Sequence, residues 1–313
     1  MTKVLACAFV LASVAMGCQP KDDADRFRSA VPAKEDVALK IPGSSDSGGT
    51  TTQSLHPLGN PPSVSSSAEY YRFTRDITDV VDFGTAVILG AIEIIVHSPP
   101  TTIDSTHAVW GPGSGDALDP VVWRFTVTEV APDEYDYVLE GQRKGTSDFV
   151  AALSGHGFGD ASPSHKQGWF QADNDALASL DPDRNHDTGS TKVTFDLRQI
   201  PASIAVDIDK KTDGSAHVVV THEAGGAGEV DITAHTDIDP SKGNGLEDVT
   251  LHSKWLTDGS GRADAQLAGG DLPTTVDATE CWSTTFSRVY YQDTVSYEPT
   301  SGDASKCSLA STK

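Results

Sequence analysis

From Val121 onward, apolar and polar residues alternate with a period of two, and turn residues interrupt the alternation repeatedly. Val121, Trp123, Phe125 and Val127 alternate with Val122, Arg124, Thr126 and Thr128. After Ala131-Pro132-Asp133-Glu134, Tyr135, Tyr137 and Leu139 alternate with Asp136, Val138 and Glu140, which reads as a hairpin. A period of two is the mark of a strand with one buried and one wet face, because successive side chains point to opposite sides. Strands of this kind joined by short turns form an antiparallel sheet with one face in water.

The pattern continues through Ser147 to Leu153, Val193 to Leu197, Ile204 to Asp209, and His217 to His222. It resumes at Val230 to His235, Val249 to Trp255, Ala263 to Leu267, Val276 to Trp282 and Phe286 to Tyr291. Asp213-Gly214 and Thr257-Asp258-Gly259-Ser260-Gly261 mark turns. Two stretches follow a helical period instead. A short one lies near Asp173 to Leu180. A long one runs from Ala68 to His97, with apolar residues at Tyr71, Phe73, Ile77, Val80, Val87, Ile88, Ile92 and Ile95, and Ser98-Pro99-Pro100 ends it. Asp82 and Glu93 inside this stretch argue against a membrane span. A sheet with one apolar face needs a cover, and the long helix supplies one. The expected fold is therefore α+β, mainly antiparallel β. It is a strongly curved sheet or half-open barrel of about ten to eleven strands around one long helix.

The N-terminus reads as an address. Lys3, an apolar run from Val4 to Met16 and then Gly17-Cys18 fit a signal peptide over residues 1–17. Ala15-Met16-Gly17-Cys18 resembles the lipobox of bacterial lipoproteins, and that resemblance implies lipidation at Cys18. Gln19 is not the Asp that resembles an inner-membrane retention signal, so the expected location is the outer membrane, with membrane association through the N-terminal lipid. Residues 19–42 are charged and mixed and residues 43–67 are rich in Ser, Gly, Thr and Pro, so 18–67 read as a disordered tether. Within it Val37-Ala38-Leu39-Lys40-Ile41-Pro42 is apolar enough to dock as a short edge strand. Residues 68–313 read as a single β-rich domain. The chain has four cysteines; setting aside Cys7 in the signal and Cys18 leaves Cys281 and Cys307, which are expected to pair in an oxidising compartment.

Lys and Arg total 23 against 45 Asp and Glu, for a net charge of −22. This balance excludes the basic footprint of a nucleic-acid binder. No catalytic motif stands out. Gly155-His156-Gly157-Phe158-Gly159 is followed by loop residues, not the helix that a dinucleotide fingerprint needs. Asp181, Asp183, Asn185 and Asp187 place oxygens at alternate positions, as a calcium loop does. Lys192 and His186 occupy that loop's Glu and Gly positions, so only a looser surface site is conceivable and no metal or cofactor is assigned. Ten histidines are scattered without a metal-ligand spacing.

Several segments together resemble predicted lipoproteins of myxobacterial type. They are the lipobox-like start, the tether, Tyr70-Tyr71-Arg72-Phe73-Thr74-Arg75 opening the helix, and Glu280-Cys281-Trp282 leading into Phe286-Ser287-Arg288-Val289-Tyr290-Tyr291. The helix-and-sheet outline is also similar to lipoprotein carriers of the LolA/LolB and LppX kind, which implies acyl chains held between sheet and helix. The functional expectation is a monomeric, non-enzymatic cell-envelope lipoprotein that binds an apolar, lipid-like ligand between sheet and helix. The alternatives are a structural or interaction module with a filled core, and an unrecognised hydrolase.

Overall fold

The structure, a computed structural model, describes residues 23–34, 37, 68–115, 117–211, 214–238 and 243–311. The signal and lipobox residues, Cys18 included, and most of the tether lie outside these. Within the stretch read as tether, α1 (Asp23–Arg28) is helical and Phe27 is fully buried in the core. Sequence reading missed this element, because six residues hold too few apolar positions to show a helical period.

The long helix is α2 (Glu69–His97) and the short one is α3 (Asn174–Leu180), which Asp173 caps by accepting from the Ala176 N–H at 2.9 Å. The other elements form one mainly antiparallel sheet. Its strands are β1 (Thr102–Ile103), β2 (His107–Gly113), β3 (Val121–Ala131), β4 (Glu134–Arg143) and β5 (Val150–Phe158). Next come β6 (Gln167–Asp173), β7 (Ser190–Asp196), β8 (Ala202–Lys210), β9 (Gly214–His222) and β10 (Gly228–Thr236). The last are β11 (Glu247–Trp255), β12 (Gly261–Gly269), β13 (Val276–Trp282), β14 (Arg288–Asp293) and β15 (Ser301–Gly302).

Two expectations need correction. The sheet has fifteen strands, not ten to eleven. The additional strands are β1, β2, β6 and β15. β1 and β15 are two residues long and cannot show a period. β2 contains Gly111-Pro112-Gly113, and the Gly168-Trp169-Phe170 run in β6 hides its alternation. Nor is the sheet a half-open barrel around the helix. Strand order follows chain order, each strand pairs with its sequence neighbours, and β1 and β15 are open edges. Both edges are very short, which limits unwanted edge-to-edge pairing. Among the described residues, α2 meets the sheet most closely at β2 and at β11 to β13.

The main apolar core joins residues from β2 to β14 with α1 and α2, and Trp110, Trp255, Trp282, Tyr135, Phe27, Phe125 and Phe170 are its largest fully buried rings. The glycine run of β5 belongs to this packing. A β-carbon at Gly155 would collide with the Tyr137 ring, and one at Gly157 with the Ala30 carbonyl oxygen just after α1. Those glycines let the sheet approach its cover closely.

The ends of α2 are satisfied by partners remote in sequence. Its first turn has no side-chain cap from Ala68; instead the Glu280 carboxylate of β13 accepts from the Glu69 N–H at 3.0 Å and from the Tyr70 N–H. At the other end Arg28 donates to the Val96 carbonyl at 2.7 Å and the Ser98 carbonyl at 3.2 Å, and the Trp110 indole donates to Ser98 at 2.9 Å. An anion at the N-terminus and a cation at the C-terminus both complement the helix dipole.

Candidate functional site

The sheet's two faces carry different chemistry. The core face holds a concentrated polar cluster around Glu280. Glu280 occupies an inward position of β13 between Ala278 and Trp282 and is 0 % exposed. Arg288 of β14 donates to it at 2.5 Å, to Glu298 at 2.6 Å, and lies 3.5 Å from Glu69. The guanidinium also sits 4.7 Å above the centroid of the Tyr291 ring. Burial pushes the Glu69 carboxyl up to about 7, helped by the nearby Glu298 and Glu280 and opposed by Arg288 and Arg72. Burial likewise raises Glu280, against Arg288 and its two backbone donors. The Glu280 carboxylate is shared between Arg288 and the first turn of α2, so the cluster reads as the joint between α2 and the sheet. The sequence carried its signal: a carboxylate in the apolar phase of an alternating strand.

The wet face carries a wider arrangement. Register aligns Gln171, Lys192, Asp207, His217, Thr233 and Thr250 in a row across β6 to β11. A second row, two residues along each strand, is Asp173, Ser190, Asp209, Ser215, His235 and Asp248. Between them lies a shallow groove of about 780 Å³. The His217 ring Nδ1 is 2.6 Å from Asp207, and the His235 Nδ1 is 2.8 Å from Asp248. An ionised carboxylate only accepts, so each Nδ1 donates to its aspartate. A second hollow of about 320 Å³, lined by Trp169, Thr194 and Ala205, adjoins the first. These three residues precede Gln171, follow Lys192 and precede Asp207 by two positions, on the same face of the same strands. The Lys192 ammonium lies 5.1 Å from the Trp169 ring centroid.

The same cross-strand pairing recurs outside the main groove, His156 with Asp136 at 2.8 Å and His252 with Asp231 at 2.5 Å. Ser215 stands directly opposite His235, but among the described residues no hydrogen bond joins them. A Ser–His–Asp row is therefore present without an assembled nucleophile. Single-sequence reading could not find these rows, since they depend on the register of six strands.

No family model, curated protein or solved structure matches the chain. The site must be read from its own chemistry. Of the sequence candidates, Cys281 and Cys307 are joined as a disulfide with Cα atoms 5.4 Å apart. It ties β13 to the chain's last turn. Asp181, Asp183, Asn185 and Asp187 are not brought together as a ligand set. Asn185 donates back to the Leu177 and Asp181 carbonyls, Asp181 lies 3.7 Å from Arg184, and Asp187 lies 3.4 Å from Lys210. Among the described residues, no group of three or more His, Cys, Asp or Glu is placed to hold a metal ion, and no helix is long and apolar enough to cross a membrane.

Proposed function

We propose that the chain is an exported, non-enzymatic lipoprotein, anchored in the outer membrane through Cys18, that works as an interaction module. Its binding surface is the wet face of the sheet. The carrying observation is the asymmetry between the faces: large rings fill the core side, while the other side offers a broad polar groove. The disulfide between Cys281 and Cys307 agrees with an oxidising compartment.

Two measurements test this. Cys18→Ser is expected to release the protein from membranes; persistent membrane association of that variant overturns the anchor. The released variant is expected to sediment with purified envelope fragments. Adding His217→Ala and His235→Ala is expected to abolish this, and equal sedimentation of both overturns the wet-face reading.

A second reading is a carrier of an apolar, lipid-like ligand between sheet and helix. The observation favouring it is that α2 lies against the apolar face, with Tyr70, Tyr71, Leu89, Ile92 and Val96 in the core. Native mass spectrometry of the Cys18→Ser protein separates the two: a copurifying lipid supports the carrier, and an apo mass without fatty-acid uptake supports the module.

A further inference from the structure

We propose that the two-part groove on the wet face binds a neutral, polyhydroxylated glycan. This rests on the wet-face reading and names the chemistry of its ligand.

The argument proceeds by what the lining can recognise. The main groove presents imidazole, carboxylate, hydroxyl, amide and ammonium groups within two adjacent rows, which is a dense mixture of donors and acceptors. Sugar hydroxyls both donate and accept, so they match such a surface. An acyl chain does not, because it would leave these groups unpaired. Asp207, Asp209 and Asp248 outnumber Lys192, which disfavours an anionic polymer. A cationic ligand would find Asp207 and Asp248 already engaged by His217 and His235. Those pairings also fix the carboxylates and rings in place, so fewer rotamers are lost on binding.

The adjoining hollow adds the apolar component that a sugar ring requires. Trp169 is half-buried there, beside Thr194 and Ala205. Its indole, with the Lys192 ammonium over the ring at 5.1 Å from the centroid, joins a rigid apolar ring to a hydrogen-bond donor, the pairing that the C–H edge and hydroxyls of a pyranose require. The rows from Gln167 to Asp173 on β6 extend the surface along the strand by about 20 Å. The side chains are about half exposed, with His217 at 47 % and His235 at 51 %. A shallow open trough of this kind suits an extended polymer lying across the sheet better than a small molecule, which needs enclosure.

The test uses the full-length Cys18→Ser protein in affinity electrophoresis through gels containing dextran, and in fluorescence titration with a hexamer of N-acetylglucosamine. Retardation in dextran or saturable quenching by the hexamer is expected. Trp169→Ala, Asp207→Asn and His235→Ala are each expected to weaken binding about tenfold, the affinity equivalent of one well-made hydrogen bond or stacking contact. His252→Ala removes a cross-strand pair of the same chemistry that lines neither hollow, and its binding is expected to be unchanged. Circular dichroism confirms that each variant is folded. Failure to bind both neutral probes, preference for polylysine, or an equal loss in His252→Ala overturns the proposal. If the protein still sediments with envelope fragments while binding neither glycan, the ligand assignment fails and the wet-face reading survives; if it does neither, both fail.

Discussion

The sheet holds acid–base pairs on both faces, and their environments give them opposite consequences. On the core side, Glu280 is fully buried and shared between Arg288 and the first turn of α2. On the wet side, the His–Asp pairs have similar or slightly longer separations but sit partly in water. Distance alone does not distinguish them. Water screens an exposed pair to about 1 kcal/mol or less, whereas an unpaired buried charge costs several. The core cluster therefore holds the architecture together, while the wet pairs are free to serve recognition.

This contrast can be broken from its strongest side first. Glu280→Ala is expected to destabilise the fold by about 3 kcal/mol, through a lost helix cap and the loss of one of the carboxylate partners of the half-buried Arg288, which keeps Glu298 and Glu69, seen as a lower urea midpoint. A loss below about 1 kcal/mol would remove the distinction between the faces. Cys281→Ser, which opens the disulfide next to that cluster, is expected to cost about 3 kcal/mol for its 26-residue separation, read as a fall in Tm that reductant reproduces in the parent. Gly157→Ala is expected to cost about 2 kcal/mol by pushing the Ala30 carbonyl and α1 off β5, with faster proteolysis near residue 28 as its local signature.

The cluster also sets a pH dependence. Below pH 4.5 Glu69 is protonated in both folded and unfolded chains. Between 4.5 and about 7 the unfolded chain gives up this proton and the folded chain keeps it. Stability is therefore lost as pH rises through that window, on the order of 2 kcal/mol for this group once screening by water at its exposed part is discounted. Glu69→Gln should flatten the profile of unfolding midpoint against pH over that range; an unchanged slope would assign the dependence elsewhere. The smallest effect belongs to the wet face. His235→Gln is expected to change stability by under about 1 kcal/mol, while still weakening ligand binding. A large stability loss there would make the pair architectural and remove the distinction from the other direction.

Much of the fold could be read in advance from particular residues. The alternation in Val121–Val127 and Tyr135–Leu139 placed β3 and β4 and their shared turn, and Asp173 announced α3. The strands that escaped notice were those whose residues do not alternate, such as Gly168-Trp169-Phe170 in β6. The site was far less legible. Asp207 and His217 look like ordinary polar positions of two strands, and so do His235 and Asp248. Nothing in the chain order says that the four share one groove. Glu280 was the exception, since a carboxylate between Ala278 and Trp282 already conflicts with its strand's apolar phase.

The amino-acid pattern by itself determined which face of each strand would be apolar, because a side chain's direction on a strand follows from a period of two. It also singled out Cys281 and Cys307 for a bridge, on the expectation that Cys7 belongs to a signal and Cys18 carries lipid. Only the tertiary structure decided that fifteen strands share one open sheet, that α1 joins the core, and that Glu280 caps a helix begun 211 residues earlier. Those outcomes depend on register and on contacts between distant segments, and local periodicity carries no information about either.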